Sequence, residues 1–121
     1  MKGFDIMSVL QAKNNYLGLG GSRMNCAQSV ASAFKEKFKL TDEFVNSFMA
    51  YGGGRAPEGV CGAYYAAMSI LNKVDKEKAN ELKDYFREHA GAFECSNIKS
   101  IRRLSCVGCV EKCSGFLEKI G

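Results

Sequence analysis

A glycine-rich segment followed by a long apolar segment constrains the fold of this chain more than any other feature. Residues 52–59 hold four glycines and the only proline of the protein, so they form neither a regular helix nor a strand. The next twelve residues, Val60 to Leu71, carry no charge. A helix that is apolar on all sides is a buried one. The sequence therefore predicts a buried central helix over about residues 60–72, with Cys61 at its start.

The other segments also show apolar residues at helical spacing. They predict an all-α fold, a compact single-domain bundle of five to six helices over residues 1–121. No alternating apolar segment followed by a tight turn indicates a hairpin. Four side chains are expected to cap the N-termini of helices: Asn25, Thr41, Asp75 and Ser105. Four residues are expected to form the buried stripe of the helix that follows Asp75: Ala79, Leu82, Phe86 and Ala90.

The bulk composition excludes several classes of protein. The net charge of +4 comes from 17 basic and 13 acidic residues. The two kinds are interleaved along the chain and form no basic stripe, which argues against nucleic acid as a partner. No apolar run approaches the length of a membrane span, and the first residues lack the apolar core of a signal peptide. We therefore expect a cytoplasmic protein. His89 is the only histidine, so sites with several histidine ligands are excluded.

Six cysteines in 121 residues are the unusual part of the composition. In a cytoplasmic chain with its own core they indicate redox or thiolate–metal chemistry rather than a disulfide framework. Cys26, Cys61 and Cys106 are each expected at or near the start of a helix. The positive end of the helix dipole favours a thiolate there, the form that attacks a disulfide or binds a soft metal.

The C-terminal segment adds a second pattern. Cys109 and Cys113 follow Cys106 by three and seven residues, which places the three sulfurs on one face of a helix. A Cys-x-x-Cys pair is shared by redox dithiols and metal sites. Cys95 or Cys61 would complete a set of four thiolates for zinc or an iron–sulfur cluster. The alternative is that Cys109 and Cys113 only line the inner face of the helix as small hydrophobic residues.

Together these features resemble the C_GCAxxG_C_C family of redox-active cysteine proteins, in the family's order and over about residues 15–120. The resemblance rests on five pieces of sequence: Asn25 to Val30, the glycine-rich run, Val60 to Ala63, Phe93 to Cys95, and the helix that opens at Cys106. It implies an α-helical bacterial or archaeal protein. Related domains are joined to haem-containing electron-transfer modules, which implies electron transfer or an iron centre.

The resemblance also implies four signature cysteines: Cys26, Cys61, Cys95 and Cys106, with Cys109 competing for the fourth place. Two departures from the family pattern are visible. Ala66 stands where the motif Cys-Gly-Ala-x-x-Gly ends in glycine, a change that a helix tolerates. Cys109 and Cys113 exceed the four-cysteine pattern, and they offer an additional metal ligand or a resolving thiol.

The first functional hypothesis is a redox protein whose four signature cysteines converge on one pocket beneath the glycine-rich loop. Cys61 is then the attacking nucleophile, and Cys26 or Cys95 is the resolving thiol. The partner is a redox protein or a small thiol or disulfide. Such a protein cycles between thiols and a disulfide, or it carries electrons on a thiolate-bound metal.

The second hypothesis is a metal-binding module without catalysis of its own. Its iron–sulfur cluster or zinc ion is held by the signature cysteines together with Cys109: Cys26, Cys61, Cys95, Cys106 and Cys109. The third is ligand binding, in which glycines cradle a cofactor or an anion at the start of the buried helix: Gly52, Gly53, Gly54, Gly59 and Gly62. Dimerisation through the helices is neither supported nor excluded by the sequence.

Overall fold

The computed structural model describes residues 7–19, 23–51 and 56–120. Within these ranges the protein consists of helices and connecting segments and has no strand. It has seven α-helices: α1 (Met7–Leu17), α2 (Cys26–Ala33), α3 (Asp42–Asn46), α4 (Gly62–Val74), α5 (Lys76–Ala90), α6 (Cys95–Ile101) and α7 (Cys106–Glu118). Two short 3₁₀ segments, Ser47–Tyr51 and Pro57–Gly59, lie between α3 and α4. The all-α prediction is confirmed, with seven helices in place of five or six.

Four helices begin with the side-chain caps that the sequence predicts. The Oδ1 of Asn25 accepts a backbone hydrogen bond of 2.7 Å at the start of α2. The hydroxyl of Thr41 accepts one of 3.0 Å at the start of α3, and Asp75 and Ser105 cap α5 and α7 in the same way. Each cap satisfies an N–H donor that has no partner inside its helix.

The central helix is α4, which packs against α2, α5 and α7. Its alanines at positions 63, 66 and 67 are fully buried. Small side chains on this face let the neighbouring backbones come close. The prediction of a buried helix is confirmed, although α4 begins at Gly62 because Val60 and Cys61 are extended. No helix in the part of the chain that the structure describes is long and apolar enough to cross a membrane.

On its other side, α4 packs against α5. The ring of Tyr64 stacks on that of Phe86, with 4.8 Å between the ring centres. The predicted stripe of α5 is buried at all four positions: Ala79, Leu82, Phe86 and Ala90. The helical spacing of apolar residues along α5 therefore predicts correctly which face of this helix is buried.

The extended residues before α4 are joined to the segment before α6. Val60 and Glu94 form an isolated antiparallel bridge, and the backbone N–H of Cys61 donates to the carbonyl of Phe93 at 2.7 Å. This pairing holds the start of α4 beside the start of α6. It brings Cys61 and Cys95 to the same side of the molecule.

Candidate functional site

Five of the six cysteines line one cavity of about 350 Å³, here called the cysteine cavity. Four helices contribute them: Cys26 from α2, Cys61 as the residue before α4, Cys95 from α6, and Cys106 and Cys109 from α7. The rest of the described lining is Tyr16, Arg23, Met24, Asn25, Ile98, Lys99 and Leu104. The structure thus brings together the four signature cysteines and Cys109, whereas Cys113 is not part of the described lining.

The signature cysteines share a position in their helices. Cys26, Cys95 and Cys106 are the first residues of α2, α6 and α7, and Cys61 is the N-cap residue of α4. The sequence predicted this placement for three of them. For the fourth, Cys95, the structure adds a helix start with Glu94 as its N-cap.

Gly62 allows α2 and α4 to meet at the cavity. A Cβ atom at this position would lie 2.7 Å from the sulfur of Cys26 and 2.7 Å from the backbone oxygen of Tyr51. Both distances are shorter than van der Waals contact allows. Only glycine therefore permits this close approach of the two helix starts. The role of Gly62 beside a cofactor stays a prediction.

The remaining glycines of the third hypothesis are only partly described. Gly52, Gly53 and Gly54 lie outside the described residues. Gly59 has a positive φ of 73°, a left-handed conformation that favours glycine, and it forms the turn before α4. The backbone N–H of Cys61 donates to the carbonyl of Phe93 at 2.7 Å. This N–H is therefore already paired within the protein. Ligand binding by this loop stays a prediction.

Within the cavity, the sulfur of Cys61 forms hydrogen bonds with two other sulfurs. Its partners are Cys109 and Cys26. The hydrogen bond to Cys109 is the first cause of a pKa of about 12 for Cys61; Cys26 acts in the opposite direction, and burial raises the pKa further. Only 6% of Cys61 is exposed. The expectation of a favoured thiolate at Cys61 is therefore wrong, because these local effects outweigh the field of the helix N-terminus.

Cys95 is more accessible than Cys61, being half-buried. Burial raises its pKa, the charge of Lys99 one turn later lowers it, and Cys106 and Cys26 are close enough to raise it electrostatically. The effects of Cys106 and Cys26 indicate that these three sulfurs lie near one another. As for Cys61, a position at the start of a helix is not enough to lower the pKa of the Cys95 thiol.

Cys106 is half-buried and has a tyrosine beside it. The hydroxyl of Tyr16 hydrogen-bonds to Cys106, and burial followed by this bond raises the pKa of Tyr16. The guanidinium of Arg23 lies 5.5 Å from the centre of the Tyr16 ring, and its Nε donates to the backbone oxygen of Tyr16 at 3.2 Å. The sequence analysis did not find Tyr16 or Arg23, because they lie near the other end of the chain and belong to no cysteine spacing.

The model of the family described as "Putative redox-active protein (C_GCAxxG_C_C)" matches residues 24–120. This chain belongs to that family. All the cysteines that the resemblance assigns to the family signature lie within the matched range and line the cavity. No curated protein and no solved structure matches the chain.

Cys113 exceeds the family's four-cysteine pattern and does not line the cavity, although it is close enough to Cys61 and Cys26 for their charges to raise its pKa. It is 0% exposed, and burial raises its pKa well above the usual thiol range. Cys109, the other additional cysteine, is 2% exposed and lines the cavity beside Cys61. The two extra cysteines of this family member therefore occupy different surroundings.

The donors that line the cavity suit a soft metal, because they are thiols and include neither histidine nor carboxylate among the described residues. No group of three or more cysteine, histidine or acidic side chains within residues 7–19, 23–51 and 56–120 is placed to hold an ion. The metal hypothesis stays a prediction that rests on donor chemistry alone.

Proposed function

We propose that this member of the C_GCAxxG_C_C family exchanges electrons with disulfides by thiol–disulfide exchange in the cysteine cavity. The observation that carries the proposal is the cavity itself: five thiols line it, and Cys106 and Cys109 lie one helical turn apart at the start of α7. Cys106, three residues before Cys109, is half-buried. Residues three apart on a helix have a Cα separation that a disulfide can span.

Cys106 is the attacking thiol in this proposal. It begins α7, it is more exposed than Cys61, and the Tyr16 hydroxyl beside it can donate to a developing thiolate. Cys109 is the resolving thiol, because a Cys-x-x-Cys pair at the start of a helix places a buried second thiol behind an accessible first one. The raised pKa and the burial of Cys61 count against its predicted role as nucleophile.

Cys61 instead assists Cys109. When Cys109 gives up its proton, the S–H of Cys61 donates a hydrogen bond to the resulting thiolate, and Cys26 in turn donates to Cys61. Hydrogen bonds to an ionised acceptor are stronger than those between neutral groups. The chain of sulfurs therefore stabilises the charge that the second step of exchange requires.

The exchange proceeds in two steps. The thiolate of Cys106 attacks one sulfur of the partner disulfide, the partner S–S bond breaks, and one partner thiolate leaves and takes up a proton. Cys109 then loses its proton to solvent and attacks the sulfur of Cys106, which releases the second partner thiolate. Two protein thiols are oxidised to one disulfide, and one partner disulfide is reduced to two thiols.

Cysteine variants test this assignment. The reduced protein is mixed with a small disulfide, quenched at intervals with acid and an alkylating reagent, and analysed by peptide mass spectrometry. We expect a disulfide between Cys106 and Cys109 in the wild type, and a mixed disulfide that persists on Cys106 in Cys109→Ser. Cys106→Ser should lose the fast phase of reaction. Cys113→Ala is the control and should react like the wild type, because Cys113 lies outside the cavity.

Two results contradict the proposal. One is a protein in which all six thiols remain free after oxidation. The other is a Cys106→Ser variant that reacts as fast as the wild type, which would move the attack to another cysteine. If Cys61 carries the mixed disulfide, the sequence hypothesis that Cys61 attacks is the better one.

The second candidate is an all-thiolate iron–sulfur or zinc site, favoured by a cavity that five cysteines line. Cys26, Cys61, Cys95, Cys106 and Cys109 are the residues that would hold the metal. Protein purified without oxygen would then contain iron or zinc in stoichiometric amount. Iron–sulfur clusters would also give visible absorption, and alanine at Cys26 should lower the metal content. A colourless preparation without metal favours thiol–disulfide exchange.

A further inference from the structure

The described side chains that line the cysteine cavity include two cations and no acidic residue. The cations are Arg23 and Lys99, and both are exposed at their outer side. Every other described lining residue is a cysteine or an uncharged side chain. Among the described residues of the lining, no carboxylate neutralises this positive charge.

Each half-buried thiol has one of these cations near it. Arg23 is fixed against Tyr16, with its Nε 3.2 Å from the Tyr16 backbone oxygen, and the Tyr16 hydroxyl hydrogen-bonds to Cys106. Lys99 follows Cys95 by one helical turn on α6, and its charge acts on that thiol. A molecule that reaches either thiol meets a positive charge beside it.

We propose that the cavity accepts small disulfides that carry carboxylate groups, with Arg23 and Lys99 binding the carboxylates while the S–S bond faces Cys106. This inference rests on the proposed function and names its substrate class. A cavity of about 350 Å³ lies within the size range of sites for small molecules. Opposite charge increases the rate of encounter and of binding, whereas a cationic disulfide is repelled.

Three small disulfides with the same central S–S bond test the inference: anionic dithiodipropionate, neutral hydroxyethyl disulfide and cationic cystamine. The rate of oxidation of the reduced wild-type protein is measured with each by quenched-flow mass spectrometry. Each rate is divided by the rate of the same disulfide with dithiothreitol, which removes differences in intrinsic reactivity. We expect the anionic disulfide to exceed the cationic one by on the order of tenfold at low salt. The ratio should fall as ionic strength rises.

Charge variants show whether the two cations cause the preference. In the double variant Arg23→Gln/Lys99→Gln the anionic-to-cationic ratio should fall to about one, and in Arg23→Lys/Lys99→Arg it should recover. The matched control is Lys76→Gln/Lys83→Gln, which removes the same net charge from the exposed face of α5. This control should keep most of the ratio.

The outcomes separate the inference from the proposed function. Two outcomes overturn the inference and leave thiol–disulfide exchange in place. One is equal normalised rates for the three disulfides. The other is an equal loss of the anionic preference in the cavity variant and in the α5 control. If none of the three disulfides oxidises the wild-type protein, the proposed function itself is overturned. Thermal unfolding followed by circular dichroism confirms that each variant is folded before its rates are compared.

Discussion

The cysteine cavity and the contact between α4 and α5 are both built by helices, but different parts of the helices meet. Between α4 and α5 the side faces pack, as in the stack of Tyr64 on Phe86 with 4.8 Å between ring centres. At the cavity the starts of α2, α4, α6 and α7 converge. Backbone atoms take part there, since the N–H of Cys61 donates to the carbonyl of Phe93 at 2.7 Å.

The two regions therefore contribute differently to the stability of the protein and to its thiol chemistry. A packed side face buries much apolar area, and its contribution grows with the area removed from water. Converging helix starts bury less, but they place thiols from distant parts of the chain around one space. We therefore expect substitutions in the α4–α5 contact to change the free energy of unfolding, and substitutions at the helix starts to change thiol reactivity as well.

The largest effect is expected for the reactivity of Cys61 with an alkylating reagent. A pKa of about 12 against the ordinary 9.0 lowers the thiolate fraction at neutral pH by about 1,000-fold. Because the pKa is raised, Cys61 stays protonated until the pH approaches 12. Its labelling rate should rise about tenfold per pH unit from pH 7 to about 11. Peptide mass spectrometry after timed labelling with iodoacetamide measures this rate.

The same peptide from the protein unfolded in guanidinium provides the control, since its labelling should level off above about pH 9. A native rate that levels off near pH 8 would show that the hydrogen bond to Cys109 and the burial of Cys61 do not hold its proton. Cys61 would then again be a candidate for the attacking thiol.

The next effect is expected in the α4–α5 contact. Phe86→Ala should lower the free energy of unfolding by about 3–5 kcal/mol, because it removes a fully buried ring that packs against the rings of Tyr64 and Phe93. Phe86→Leu keeps most of the apolar volume and should cost less. Urea unfolding measures both. Below their unfolding transitions, thiol exchange should proceed as in the wild type, and a parallel loss of exchange in Phe86→Leu would remove the distinction between the two regions.

A smaller loss is expected when Gly62 gains a methyl group. Gly62→Ala places a Cβ 2.7 Å from the sulfur of Cys26 and from the oxygen of Tyr51, so the starts of α2 and α4 must separate. We expect a cost of about 1–3 kcal/mol and a change in the labelling of Cys26. Gly115→Ala is the matched control in α7, where the added Cβ would meet no atom within 4 Å apart from its chain neighbours and the backbone of its own helix. It should stabilise the protein by about 0.5–1 kcal/mol. Equal effects at the two glycines would contradict the close approach.

The two regions also differ in how far the sequence predicts them. The stripe of α5 and the caps at Thr41, Asp75 and Ser105 follow from local patterns, since period and capping chemistry involve neighbouring residues. The sequence also gives the family and the cysteines that line the cavity. It does not give the hydrogen bonds of Cys61, because burial and neighbours from other helices determine them. Nor does it give Tyr16, whose contact with Cys106 joins the two ends of the chain.

Asn25 makes one contact that the sequence predicts and two that it does not. Its substitution should have the smallest effect of the four substitutions and reactivities considered. Its Oδ1 is the predicted cap of α2. Its Nδ2 also donates to the backbone oxygens of Phe48 at 3.0 Å and Met49 at 2.7 Å, which fixes the 3₁₀ segment that leads to Tyr51.

Asn25→Ala should lower the free energy of unfolding by about 1–2 kcal/mol, since both the cap and the two donated bonds are lost. Thr41→Ala, which removes only the cap of α3, should cost about 1 kcal/mol and leave cysteine labelling unchanged. In Asn25→Ala the labelling of Cys26 should be faster at every pH, because the segment that packs against the start of α2 is no longer held. If both variants cost the same and neither changes the labelling of Cys26, the cavity does not depend on this residue.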